Sequence, residues 1–317
     1  MSTGLLGYTL RRLLWAIPVL FVISVIVFYV LRLAPGDPVD AILGKNFYTE
    51  DQAARLRAKY GYDEPIHIQY YKYMKNLFTG NPGISVRHQD FTLGEIIIPK
   101  MQISMQLNIY ALLITLGLGI PIGLYAALAR GTFLDPLIIG FWLIIDAIPT
   151  FVIAPMLLWL FALKFDLVGA GWDGVYSKNA ILPILIMSLP GVAGVARFMR
   201  ASVIGVINED YVRTARAKGL KETTVVFTHI MRNALIPLVT VIGLSIPGLF
   251  AGSLFVEQAF GIPGLGQETF AAATTPDYDV ILVLVLFGST LFVLANLLID
   301  LIYGFIDPRV RVGTARG

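Results

Sequence analysis

Residues Asn208 to Leu220 read NEDYVRTARAKGL and stand between two long apolar runs. Asn208 is placed to act as N-cap, with Glu209 and Asp210 in the first turn, where the helix dipole favours negative charge. Arg216 and Lys218 fall in the last turn, and Gly219 occupies the left-handed position that ends helices. The predicted helix is about ten residues and ~15 Å long, too short to cross ~30 Å of hydrocarbon. Its charge keeps it in water. Two readings stand: a solvated connector between spans, or a docking helix for a soluble partner. The flanking sequence favours the second.

Of 317 residues, 56% are hydrophobic and 14% charged, against about 25% charged in soluble domains. That balance indicates a membrane protein. The net charge of +3 is not gathered into a basic stripe, so nucleic acid is not an expected partner; membrane lipid is. The absence of cysteine excludes disulfides, thiolate metal sites and cysteine nucleophiles. His67, His88 and His229 are too scattered to suggest a metal site. Arg11-Arg12 opens an apolar run reaching Leu33, too long for a signal-peptide core, so an uncleaved anchor is expected.

Six segments have the length and composition of spans: 10–33, 101–129, 134–164, 180–206, 233–256 and 279–305. Interior prolines (Pro18, Pro121, Pro149, Pro155, Pro190, Pro247) are tolerated in such helices, and Gly117, Gly119 and Gly123 permit close packing. The expected fold is an all-α membrane protein forming one domain, 1–317. Basic residues collect at Arg11-Arg12, Arg130, the 207–232 loop and Arg309, Arg311 and Arg316. Residues 166–179 hold Lys178 alone, and 257–278 hold no Lys or Arg. The asymmetry predicts both termini in the cytoplasm. Residues 35–98 then form an outer insert. Thr49 with Gln52 makes a capping box closed by Gly61, Pro65 starts a second helix bearing Tyr70, Tyr71, Tyr73, Leu77 and Phe78, Gly80-Asn81-Pro82-Gly83 turns, and Thr92 caps the next span.

No P-loop, HExxH or GxSxG occurs, so no nucleotide site or hydrolytic centre is expected in this chain. The competing class is an ion-coupled secondary transporter of a small solute, which requires ionisable groups inside spans. Asp146, before Pro149, is the mid-span candidate; a bond to backbone freed by the proline is the alternative role. Asp300 and Asp307 have Arg309 and Arg311 nearby, and Arg197 and Arg200 are placed to snorkel to the interface.

Residues 197–237, RFMRASVIGVINEDYVRTARAKGLKETTVVFTHIMRNALIP, resemble the EAA-type coupling loop of binding-protein-dependent ABC importer permeases. More narrowly, DYVRTARAKGL and RNALIP resemble the B-type permease of the dipeptide, oligopeptide and nickel branch. Pro35-Gly36-Asp37-Pro38 after the first span, VEQAFGIPGLG (Val256 to Gly266) and IDLIYGFIDPRVR (Ile299 to Arg311) agree with it, so the likeness runs nearly the whole chain. Arg213 and Thr214 replace the Glu and Ala of the general motif, as is usual in that branch.

This resemblance implies a type I importer in a prokaryotic cytoplasmic (inner) membrane. It implies a second homologous permease, two cytoplasmic ATPases that bind ATP and Mg, and an extracytoplasmic solute-binding protein. This chain would then be no enzyme and hold no cofactor or metal. Asn208, Glu209, Asp210, Tyr211, Arg213, Thr214, Ala215, Arg216, Ala217, Lys218 and Gly219 would meet the ATPase. Ala215 and Ala217 would sit in its groove, and Arg213, Arg216 and Lys218 would face its acidic residues. Gln102, Gln106, Asn108, Asp146 and Asn296 are candidates to line the path of a peptide, nickel chelate, sugar or other solute.

Overall fold

The computed structural model describes residues 5–33, 39, 43, 48–80, 85, 91–274 and 277–306, the side chains of Leu5, Leu6, Tyr8 and Thr9 and those from Asp300 onward excepted. Among the described residues there is no β-strand. The Pro35–Pro38 turn, Asn81–Gly83 and the expected pairing of Asp300 and Asp307 with Arg309 or Arg311 lie outside the described residues.

Helix α1 is Leu5–Leu33, with Pro18 inside it. Helix α2, Glu50–Tyr60, opens on the expected capping box: Gln52 N–H donates to Thr49 Oγ1 at 3.4 Å, and Thr49 N–H donates to Gln52 Oε1 at 2.9 Å. Gly61 closes it at φ 71°. Helix α3 is Ile66–Phe78, with Pro65 as its N-cap residue. Thr92 and Glu95 exchange the same pair of bonds and start α4, Leu93–Leu128.

Helices α5, Leu134–Ala147, and α6, Thr150–Leu158, follow, α6 running on as a π-helical turn to Lys164. They meet at 93°, so the segment expected as a span over 134–164 is a sharply bent pair of helices. Ile148 precedes Pro149, and the proline ring disfavours helical backbone there. Ile148 is extended (φ −83°, ψ 118°) and the ladder stops. Pro18, Pro155, Pro190 and Pro237 remain inside their helices.

Helix α7 is Ile181–Val206, α8 is Asp210–Ala217, and α9 is Glu222–Phe250. The last begins eleven residues before the expected span, because Val225–Ile230 continues the helix as a π-helical turn. Helices α10, Leu254–Phe260, α11, Leu265–Thr274, and α12, Tyr278–Ile306, complete the order. Among the described residues, five helices are long and apolar enough to cross a membrane, six if the bent α5–α6 pair is one span.

By packing, the chain forms two compact units. The first holds α1, α2, α3, the start of α4 to Ile103, residues 250–254, α11 and α12. Its core joins Phe28, Tyr73, Leu93, Ile97, Val280 and Leu286. Phe28 meets Tyr70 edge-on at 5.3 Å, and Tyr70 shares a 2.7 Å hydrogen bond with Ser24. Arg32 lies 4.7 Å above the Tyr62 ring and 3.8 Å from Asp279. Burial, reinforced by Asp279, pushes the Tyr62 phenol up to about 12. The insert is thus tied to α1 and α12 through Tyr62, Tyr70 and Tyr73, while Tyr71 and Phe78 face outward.

The second unit holds residues 104–249 and 255–262. Its core draws Leu124 and Ala127 from α4, Met199 and Val203 from α7, Val212 and Ala215 from α8, and Val225, Ile230 and Leu238 from α9. Gly123 lets α4 and α7 touch: a Cβ there would lie 2.4 Å from the Ala196 carbonyl oxygen. Gly119 is similarly tight, while Gly117 faces open space.

Candidate functional site

The second unit builds the Asn208–Leu220 segment as a short helix seated on a hydrophobic socket. Glu209, not Asn208, is the N-cap residue (φ −64°, ψ 151°), and neither supplies a side-chain cap bond. Asn208 instead lies in the turn after α7. Asp210 remains in the first turn, where its charge complements the dipole. At the other end the reading holds. Gly219 adopts φ 76°, its N–H donates to Arg216 O at 2.9 Å, and Leu220 N–H donates to Ala215 O at 3.4 Å. Those two bonds form the paired closure that a left-handed residue allows.

Val212 and Ala215 lie three apart on one face and are buried, 0% and 4% exposed. They rest in the core formed with Val225, Val226 and Ile230. This corrects the expected role of Ala215: its methyl is taken up by its own chain and is closed to any partner groove. Ala217, Arg213, Thr214, Lys218 and Tyr211 form the outward face. Arg213 lies 3.8 Å from Asp210, with both side chains largely in water. Thr214 Oγ1 donates back to Asp210 O at 2.8 Å.

Arg216 also departs from expectation. Its guanidinium donates to both carboxylate oxygens of Glu222, at 3.2 and 2.8 Å, across the turn into α9. The pairing strengthens the hold of Arg216 on its proton. Asn233 donates its amide to His229 O at 2.9 Å, and the next residue, Ala234, joins Val212 and Ala215 in the core. Thus the DYVRTARAKGL stretch is braced by the RNALIP stretch, and by Glu222 between them. The sequence reading missed Glu222; an acid six residues beyond Arg216, across a glycine turn, was the available signal.

Of the candidate path residues, Gln106, Asn108 and Asp146 belong to the second unit, and Gln102 and Asn296 to the first. Asn108 donates to Leu249 O at 3.2 Å, and Asn296 donates to Phe292 O one turn back at 2.9 Å. Gln102 is exposed and Gln106 half-buried. Asp146 is the penultimate residue of α5, beside the break at Ile148, and accepts from Arg197 Nη2 at 3.0 Å instead of bonding backbone freed by the proline. Arg200 grips Asp135 in the first turn of α5 through two bonds of 2.5 and 2.6 Å.

Further buried carboxylates escaped the sequence reading. Glu257, on the VEQAFGIPGLG stretch, is fully buried and accepts from Ser104 Oγ at 2.8 Å. Within the first unit, Lys100 meets Glu268 at 3.0 Å and Ser85 donates to Asp277 at 2.7 Å. Among the described residues no cluster of His, Asp and Glu could hold a metal ion.

Comparison with known proteins agrees with this architecture. Residues 5–106 match the N-terminal model of binding-protein-dependent transport system membrane components, and 119–312 match the inner membrane component model. The oligopeptide transport permease OppB of Salmonella typhimurium is 36% identical over 308 residues, covering 97% of this chain and 100% of the relative. Oligopeptide permease AppB of Bacillus subtilis is 33% identical (96% and 99% covered), as is dipeptide permease DppB of Escherichia coli (97% and 99%). Matched by the family models along nearly its whole length, the chain belongs to the inner membrane components of binding-protein-dependent transport systems.

Proposed function

We propose that this chain is the permease subunit of an ATP-driven importer of short peptides. It forms half of the translocation path with a second, homologous permease. Two cytoplasmic ATPases, which bind the ATP and Mg, dock on the outward face of α8. An extracytoplasmic binding protein delivers solute to the 35–98 insert and the 257–278 segment. Both termini lie in the cytoplasm in this reading, which the Lys and Arg distribution supports. The relatives named above are oligopeptide and dipeptide permeases, which supports peptides as the solute.

One observation carries the reading: α8 buries Val212 and Ala215 in the α4–α7–α9 core and leaves Arg213, Ala217 and Lys218 in water. A connector has no need of such a seat. A lever does, because force on its outer face reaches the spans only if its inner face cannot slip. Closure of the ATPases would then rock the bundle between outward and inward access.

The test is reconstitution of the complete assembly in liposomes. Arg213→Glu with Lys218→Glu, both on the exposed face, should leave the chain folded, release the ATPases and abolish uptake. Uptake by the chain alone, or uptake that survives ATP depletion with ion gradients held, would establish the secondary-transporter alternative.

A further inference from the structure

The two arginines Arg197 and Arg200 lie one turn apart on α7, yet they reach opposite ends of α5. Arg200 holds Asp135 at the start of α5 by a two-pronged contact of 2.5 and 2.6 Å, the planar fork matched to the carboxylate. Arg197 holds Asp146, the penultimate residue of α5, at 3.0 Å. The carboxylates are eleven residues, or ~16 Å, apart along α5, whereas the arginines are ~4.5 Å apart along α7. Their side chains must therefore splay outward to grasp both ends.

The apolar packing shows what these pairs connect. The core that joins α4, α7, α8 and α9 contains no side chain from α5. Helix α5 turns Leu137, Phe141 and Ile144 outward, each more than half exposed. Asp135, at 6% exposed, is by contrast one of the few buried charges of the unit. Charges are not buried without a partner, and here the partner sits on the helix that leads directly into α8.

We propose that Asp135–Arg200 and Asp146–Arg197 are a two-point clamp that makes the broken α5–α6 segment move with the α8 seat. The four side chains are positioning residues for transport. Asp146 accordingly serves to transmit motion, not to contact solute. This rests on the functional reading above, because the motion to be transmitted begins at docked ATPases. Helix α5 also packs directly on α7; the forked Arg200–Asp135 pair adds a directional contact that fixes register at one point, and the single Arg197–Asp146 bond at the other end fixes orientation as well.

The test uses the complete transporter in liposomes, with peptide uptake and ATP hydrolysis measured together. Asp135→Asn combined with Arg200→Gln removes both charges at nearly constant volume, avoiding the orphaned charge that a single change leaves. ATPase stimulation by the binding protein should stay near wild type, while peptide imported per ATP falls about five-fold or more, the lower range of coupling between sites. Asp146→Asn, at the more exposed pair, should lower the ratio in the same direction without threatening the fold.

This chain has no cysteine, so Asp135→Cys with Arg200→Cys offers a unique thiol pair within it. Bridging that pair with a short bifunctional reagent should restore the ratio. A merely structural pair would change the amount of folded protein and leave the ratio alone. An unchanged ratio in the variants, or loss of uptake on bridging, overturns the clamp while ATP-driven import by the wild type still stands. Absence of ATP-driven uptake in the wild type overturns the functional reading and the clamp's role with it.

Discussion

Arg216 and Glu222 close the corner between α8 and α9 through two hydrogen bonds, at 3.2 and 2.8 Å, spanning the left-handed turn at Gly219. Both side chains are substantially in water, 39% and 59% exposed, so their pair contributes at most about 1 kcal/mol to stability. Its effect is on angle. Glu222→Gln should leave the unfolding midpoint nearly unchanged. Amide exchange over 216–222 should rise, measured by hydrogen exchange in detergent.

The two faces of α8 predict opposite phenotypes. Ala215→Leu adds bulk inside a closed core and should destabilise by about 1–3 kcal/mol, seen as less folded protein in the membrane. Ala217→Leu is on the water-facing side and should stay within about 0.5 kcal/mol of wild type. It should nevertheless reduce the ATPase recovered with the complex. Equal effects at 215 and 217 would contradict the seating described above.

Close approach of α4 and α7 depends on Gly123. A side chain there meets the backbone oxygen of Ala196, which cannot move aside as a rotamer can. Gly123→Val should therefore part the helices and sharply reduce folded protein, while Gly117→Ala, facing open space, should be tolerated. Detergent-resistant folded fraction by size-exclusion chromatography distinguishes them.

In the 35–98 insert, Thr49 and Gln52 satisfy each other's backbone at the start of α2. Thr49→Ala should cost about 1 kcal/mol locally. Limited proteolysis should then cut within 50–60 faster, with ATP-driven uptake little altered.

Gly219→Ala places a Cβ on a left-handed residue, at a cost of about 1 kcal/mol. Stability should fall by that amount in a thermal melt, and the replacement should loosen the same α8 corner as Glu222→Gln.

Local rules were sufficient wherever a residue's role is settled by its near neighbours. Apolar length identified the spans, Thr49 with Gln52 the capping box of α2, Thr92 the start of α4, and Gly219 the end of α8, because each involves residues within one or two turns. The motif stretches in order along the chain were enough to point to its family. What local rules could not supply was which face of α8 turns inward: Ala215 and Ala217 are the same residue two positions apart, and only the packing of Val225, Val226 and Ile230 separates buried from exposed. Nor could they reveal that Arg200 pairs with Asp135 and Arg197 with Asp146, across sixty-five and fifty-one positions. Pro149 reads in sequence as a proline tolerated inside one span, because sequence does not separate a tolerated kink from a near right angle; the extended backbone of Ile148 decided the latter. Long-range pairing and bend direction are properties of helices already packed against each other, and no window of sequence contains both partners.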